Sequence, residues 1–160
     1  MSDQIAPISV LFVCMGNICR SPAAECLMRS ALQTQGLKHN FAIDSAGTGG
    51  WHVGSKPDRR MRAAAKSAGH SIDGSARQVC KEDFTDFDWI FCMDYENYEN
   101  LISMGANPGK THLLLEFIEH QSVCEVPDPY YGGDDGFKDV IALVDGAVHS
   151  LINRLLPTTS

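Results

Sequence analysis

The chain has 160 residues, 44% of them hydrophobic and 21% charged, and a net charge of −7. That is the size and make-up of one globular domain, expected to run from residue 1 to residue 160. The acidic balance excludes a nucleic-acid binder and a protein docked on an acidic membrane face, which need a basic surface; it does not exclude an anionic substrate, because a nest of backbone amides can bind phosphate on an acidic protein.

Met1 to Pro7 contains no Lys or Arg, so the charged start of a secretory signal is missing. The apolar run Val10 to Val13 is too short to span a membrane. A cytoplasmic protein is expected. The six cysteines include no Cys-x-x-Cys pair, and the six histidines show no ligand spacing. Free thiols are therefore expected, with no metal and no cofactor.

Val10 to Val13 reads as a strand buried on both faces. Ser21 offers a helix N-cap and Pro22 suits the first helical position. Ala24, Leu27, Met28, Ala31 and Leu32 follow at helical spacing, and Gly36 closes the helix. Phe41 to Ile43 reads as a second strand, followed by a glycine-rich loop from Gly47 to Gly54. A helix is expected from Pro57 to Gly69, a third strand over Trp89 to Met93, and a helix from Glu96 to Met104 that stops at Gly105. Thr111 to Leu115 reads as the fourth strand. The last helix carries an apolar stripe from Phe137 to Leu155. Strands alternating with helices predict an α/β doubly wound fold, a four-stranded parallel sheet in the order 2-1-3-4 with helices on both faces. In that order the topological switch lies beside strand 1, where ligands bind at the carboxyl ends of the strands.

The loop at that point reads Cys14-Met15-Gly16-Asn17-Ile18-Cys19-Arg20-Ser21. A strand-to-helix junction offers free N–H groups and the positive end of a helix dipole, so an anion is its natural guest. Gly16 permits a tight turn and Asn17 tolerates a left-handed conformation. The ATP-type loop, Gly-x-x-x-x-Gly-Lys-Ser/Thr, is absent. A lone Cys at a strand end is ordinarily a small buried hydrophobe. With Gly16, Asn17, Arg20, Ser21 and Pro22 behind it, Cys14 reads instead as a nucleophile, because the amides that hold phosphate also stabilise a thiolate. Arg20 can curl back to clasp two phosphate oxygens, and Ser21 can hydrogen-bond the sulfur.

Val10 to Glu25 closely resembles the signature of the low-molecular-weight protein tyrosine phosphatases. The likeness continues in order through Asp44-Ser45-Ala46-Gly47, Trp51, Ala76-Arg77-Gln78, Asp88 to Asp94 and Asp128-Pro129-Tyr130-Tyr131-Gly132, covering nearly the whole chain. It implies hydrolysis of phosphotyrosine through a phosphocysteine on Cys14, without a metal. Met15, Gly16, Asn17, Ile18, Cys19 and Ser21 would supply the cradle and Arg20 would hold the phosphoryl charge. A phenolate leaving group needs a proton, and Asp128, restricted by Pro127 and Pro129, is the expected general acid, with Glu125 a weaker candidate. The resemblance places Trp51, Tyr130 and Tyr131 along a slot for a flat ring. It gives Ser45 a hydrogen bond to Asn17 and Asp94 a part in orienting Arg20. Many relatives carry a His where this chain has Gly74, so the network around Ser45 should be shorter or use water.

The implied partner is a phosphotyrosine-containing protein, a tyrosine kinase being one candidate, with phosphate or another oxyanion in the site. The family also implies a redox switch between Cys14 and Cys19. Three rivals stand beside this reading. An arsenate reductase would need two further cysteines close in sequence, whereas Cys80 and Cys92 are twelve apart. An arginine phosphatase of this fold would carry Thr at Ile18. A silent phosphoprotein-binding module would not need Cys14, Arg20 and Asp128 together.

Overall fold

The computed structural model describes residues 6–130 and 133–156. Its centre is a parallel sheet of β1 (Ile8–Cys14), β2 (Phe41–Gly47), β3 (Trp89–Cys92) and β4 (Thr111–Leu113), in the spatial order 2-1-3-4. β1 runs between β2 and β3, with Cys14 opposite Gly47 and Val13 opposite Cys92. Side chains alternate across a strand. Val10, Phe12 and Cys14 therefore enter one core with α1 (Arg20–Thr34), α2 (Arg59–Ser67) and α6 (Asp134–Leu155). Leu11 and Val13 enter the other, with α3 (Asp83–Asp86) and α4 (Tyr95–Ser103). Both faces of β1 are fully buried, which explains its unbroken apolar run. No helix among the described residues is long and apolar enough to cross a membrane.

Several boundaries differ from the expectations. α1 starts at Arg20, with Cys19 rather than Ser21 at the N-cap position. The Ser21 hydroxyl is turned inward to Cys14 and cannot cap. Pro22 falls at the third helical position, where its missing N–H is one of the four that have no intrahelical partner anyway. α2 starts two residues after Pro57, because Asp58 caps it by accepting the Arg60 N–H at 2.8 Å. β2 extends four residues beyond Ile43, pairing with β1 along its whole length. The expected strand at 111–115 ends at Leu113, and Leu114–Phe117 forms the short helix α5. Leu114 and Leu115 both enter the same core, which a strand's alternation would forbid. α4 opens on a capping box between Asp94 and Asn97.

Candidate active site

β1 ends on Cys14 and α1 begins at Arg20, so the intervening loop must turn within five residues. Its carbonyls are taken up from outside. Cys14 O accepts from Thr48, Met15 O from Gly49, Ile18 O from Asp58 and Cys19 O from Ala23, at 2.8–3.2 Å. A trans peptide points its N–H opposite to its carbonyl. The N–H groups of Met15, Gly16, Cys19 and Arg20 are therefore turned away from those donors, into the loop. Asn17 adopts φ 57°, the left-handed conformation that Asn tolerates. Gly47, beside the loop, has no room for a side chain, since a Cβ there would lie 2.7 Å from Met15 O and 3.1 Å from Asn17 N.

A polar chain beneath the loop fixes its shape. The Arg77 backbone N–H donates to Asn17 Oδ1 at 2.9 Å, which identifies that atom as the acceptor. The Asn17 Nδ2 group then donates to both Ser21 Oγ at 2.8 Å and Ser45 Oγ at 3.0 Å. Each hydroxyl must send its own hydrogen elsewhere. Ser45 donates to the Glu25 carboxylate. Ser21 points at Cys14 Sγ, 2.9 Å away, with Ala46 O the more distant alternative at 3.4 Å. Glu25 thus closes the network near Gly74 and is itself paired with Arg29.

Arg20 is 2% exposed. Its Nη1 is anchored twice, on Asp94 at 2.6 Å and on Val126 O at 3.0 Å, while Nη2 lies 3.6 Å from Asp128 Oδ2. Burial works against the guanidinium charge, but Cys14, then Asp94 and Asp128, outweigh it and hold its pKa above the ordinary value. Asp94 uses its other oxygen to accept the Asn97 N–H, so one carboxylate serves both α4 and Arg20. Asp128 Oδ1 accepts the Tyr130 N–H at 3.0 Å, fixing the carboxylate above the slot. Glu125 is drawn elsewhere, accepting the Tyr95 N–H at 2.8 Å. Burial, then Asp58, pushes the Cys19 thiol well above the ordinary cysteine range.

The slot so formed takes in about 360 Å³ when the space open to solvent at its mouth is counted. Cys14 and Arg20 lie at its base, Met15, Gly16, Ile18 and Cys19 along its rim, and His52, Asp128 and Tyr130 form its walls. Asn17, Ser21 and Ser45 support it from below without lining it. Trp51, expected as a wall, stands outside the lining and is 74% exposed. Its ring folds over Gly49, where a Cβ would lie 1.7 Å from the indole, and its neighbour His52 takes the wall. His52 packs where Gly16 lacks a side chain, 6.3 Å from the Tyr130 ring between centroids. Tyr131 lies outside the described residues. Sequence reasoning missed His52, Glu25 and Gly47. Glu25 and Gly47 fall within segments already quoted for the resemblance, whereas His52 had no signal beyond its place in the glycine-rich loop.

Comparisons with known proteins give the same picture. YfkJ, a low molecular weight protein-tyrosine-phosphatase of Bacillus subtilis, is 43% identical over 91% of this chain and 94% of its own length. Its crystal structure superposes with a TM-score of 0.88. A protein tyrosine phosphatase of Entamoeba histolytica, solved with Hepes in its active site, is 42% identical over 92% of this chain and 96% of its own, with a TM-score of 0.87. A Drosophila arginine phosphatase shares the fold at 31% identity and a TM-score of 0.85, covering 94% of this chain and 99% of its own. The family model described as low molecular weight phosphotyrosine protein phosphatase matches residues 9–158, and with the solved relatives agreeing in fold the chain belongs to this family of hydrolases.

Proposed function

We propose that residues 1–160 act as one catalytic domain that hydrolyses protein phosphotyrosine in two steps, in the cytoplasm, where thiols stay reduced. The Cys14 thiolate attacks phosphorus in line. Asp128 delivers its proton to the tyrosyl oxygen as the P–O bond breaks. Water then attacks the phosphocysteine, Asp128 takes a proton from it, the P–S bond breaks and phosphate leaves. The inward amides and Arg20 balance the phosphoryl charge throughout, so the reaction needs no metal. The observation that carries this reading is the meeting of Cys14, Arg20 and Asp128 at one slot. A tyrosine ring would enter the slot against the walls that His52 and Tyr130 provide, whereas a phosphoserine would not reach Cys14. A phosphoprotein, with a tyrosine kinase as one candidate, is the substrate class. The test is turnover of a phosphotyrosyl peptide against its phosphoseryl counterpart, with acid-quench capture of phosphate on Cys14. Equal turnover of the two peptides, or no label on Cys14, would defeat it.

The arsenate reductase alternative lacks its cysteine pair. Cys80 is exposed, while Cys92 is fully buried in β3, and burial has pushed its thiol up to about 12. The arginine phosphatase alternative is kept because a relative of that description shares the fold. It turns on Ile18, which crowds the rim and is 7% exposed. Ile18→Thr is expected to raise the ratio of phosphoarginine to phosphotyrosine turnover. An unchanged ratio would remove Ile18 as the discriminator.

A redox switch fits the same site. Peroxide would convert the Cys14 thiolate to a sulfenic acid; the Cys19 thiol would then attack that sulfur, releasing water and leaving a disulfide. Because Cys19 is buried and its thiol holds its proton, it would act second. Inactivation by peroxide is expected to be reversed by dithiothreitol in the parent but far less in Cys19→Ser, with phosphate protecting both. Equal recovery, with no linked 14–19 peptide in the mass spectrum, would make Cys19 purely structural.

A further inference from the structure

Although the whole chain carries −7, α2 holds Arg59, Arg60, Arg62 and Lys66 within nine residues and no acidic residue. Arg59, Arg62 and Lys66 follow one another at i, i+3 and i+7, the spacing of one helix face, and all three are exposed. Between α2 and α6 runs an open groove, about 820 Å³ counting the space open to solvent. Arg59 and Arg60 stand at one end, Ala63, Ala64 and Ser67 form its lining along α2, and Lys138 of α6 faces them. No carboxylate lines it. Arg60 is paired with Asp58, but among the described residues Arg59, Arg62, Lys66 and Lys138 form no ion pair. Like charges on neighbouring surface repel one another, and an anionic guest relieves them, although Arg62 also donates its Nε–H to Pro57 O at 3.0 Å.

The groove lies beside the slot; among the described residues the two share no lining residue, and the contact of Arg60 with Tyr130 joins them. The Asp58 N–H at the head of α2 donates to Ile18 O on the slot rim. Arg60 donates to Tyr130 O at 3.1 Å and lies 5.4 Å from the centre of that ring. A peptide leaving the slot past Tyr130 therefore meets Arg60 first, with Arg59 next to it on the groove lining. Nine helical residues span about 13 Å, which roughly four residues of extended chain cover.

Resting on the phosphotyrosine reading above, we propose that this groove is a subsite for the substrate's own chain, and that it selects Asp or Glu side chains within about four residues of the phosphotyrosine. Carboxylates fit better than a nucleic acid or a lipid surface, because the basic strip is one helix wide on an otherwise acidic protein.

The test compares kcat/KM at low salt for three phosphotyrosyl peptides of equal length whose flanks are Glu-rich, Ser-rich or Lys-rich. The parent is set against Arg59→Glu/Lys138→Glu and against Arg62→Glu/Lys66→Glu, with p-nitrophenyl phosphate as a flank-free control. Arg60 is left alone because it touches Tyr130. The Glu-rich peptide is expected to exceed the Ser-rich one by about tenfold, the sum of a few exposed pairs. The gain should lie in KM, fade at high salt and vanish or invert in the first variant. Unchanged turnover of p-nitrophenyl phosphate would show that each variant is folded. Equal kcat/KM for the three peptides, or a preference that survives both double substitutions, would overturn the proposal, as would binding to phosphatidylserine vesicles without peptide discrimination. If the parent failed on p-nitrophenyl phosphate, the phosphatase reading would fall instead. Fluorescence anisotropy of the same labelled peptides on the intact chain would still decide the groove, equal affinities sinking it.

Discussion

Cys14→Ser is expected to lose turnover by a factor on the order of 10⁵, comparable to removing the nucleophile from other covalent enzymes, while still binding phosphate. The loss comes from chemistry rather than from the fold. Cys14 is 3% exposed at the end of β1, and serine is close to it in shape. What changes is the attacking atom, because an alkoxide is far harder to form than a thiolate and the loop contains no general base to make one. Binding survives because the inward amides and the doubly anchored Arg20 do not depend on the sulfur. Steady-state kinetics on p-nitrophenyl phosphate and calorimetry with inorganic phosphate measure the two halves separately. Turnover within tenfold of the parent would sink Cys14 as the nucleophile. Loss of phosphate binding together with turnover would mean that the sulfur organises the cradle.

Asp128→Ala is expected to slow phenyl phosphate by about 10²–10⁴-fold, the usual worth of a general acid, and to slow p-nitrophenyl phosphate much less. A nitrophenolate leaves readily without a proton and phenolate does not, so the ratio of the two losses reports proton donation rather than damage to the slot. Asp128 is well placed for this, with one oxygen on the Tyr130 N–H and the other 3.6 Å from Arg20 Nη2. Equal losses on both substrates would move the acid elsewhere. Glu125 would be tested next, although its carboxylate accepts from Tyr95 in this structure.

The alternation of strands and helices and the loop at Cys14 were legible in the sequence because each rests on local signals, and the sheet order followed from the doubly wound topology that such alternation predicts. Val10 to Val13 is apolar without interruption since both faces of β1 are covered, and the residues of the phosphate loop are contiguous. The errors arose where a local pattern fits two structures. Leu113 to Leu115 is a short apolar run of the kind that periodicity cannot divide between strand and helix, and it divides between β4 and α5. Trp51 and His52 sit in a turn with no period, so a one-residue difference decides which faces the slot. Glu25 reaches Ser45 across 20 residues of chain and Arg77 reaches Asn17 across 60. The first exists only after α1 has packed on β2, the second only after residues 77–79 have paired beside Gly47, and composition gives no sign of either.

The Arg77 N–H has a consequence for how this site can change. A main-chain N–H is a donor under every side chain except proline, so the acceptor end of the Asn17 amide is held in place whatever stands at position 77. Both serine hydroxyls then accept from the Asn17 amide and send their own protons onward, Ser45 to Glu25 and Ser21 to the sulfur or to Ala46 O. The direction of the whole relay is thus inherited from the path of the backbone rather than from any one side chain. Substitution at Arg77 can loosen its ties to Asp44 and Asp83 while leaving that polarity intact, and Arg77→Pro is the one change at this position that deletes the donor itself.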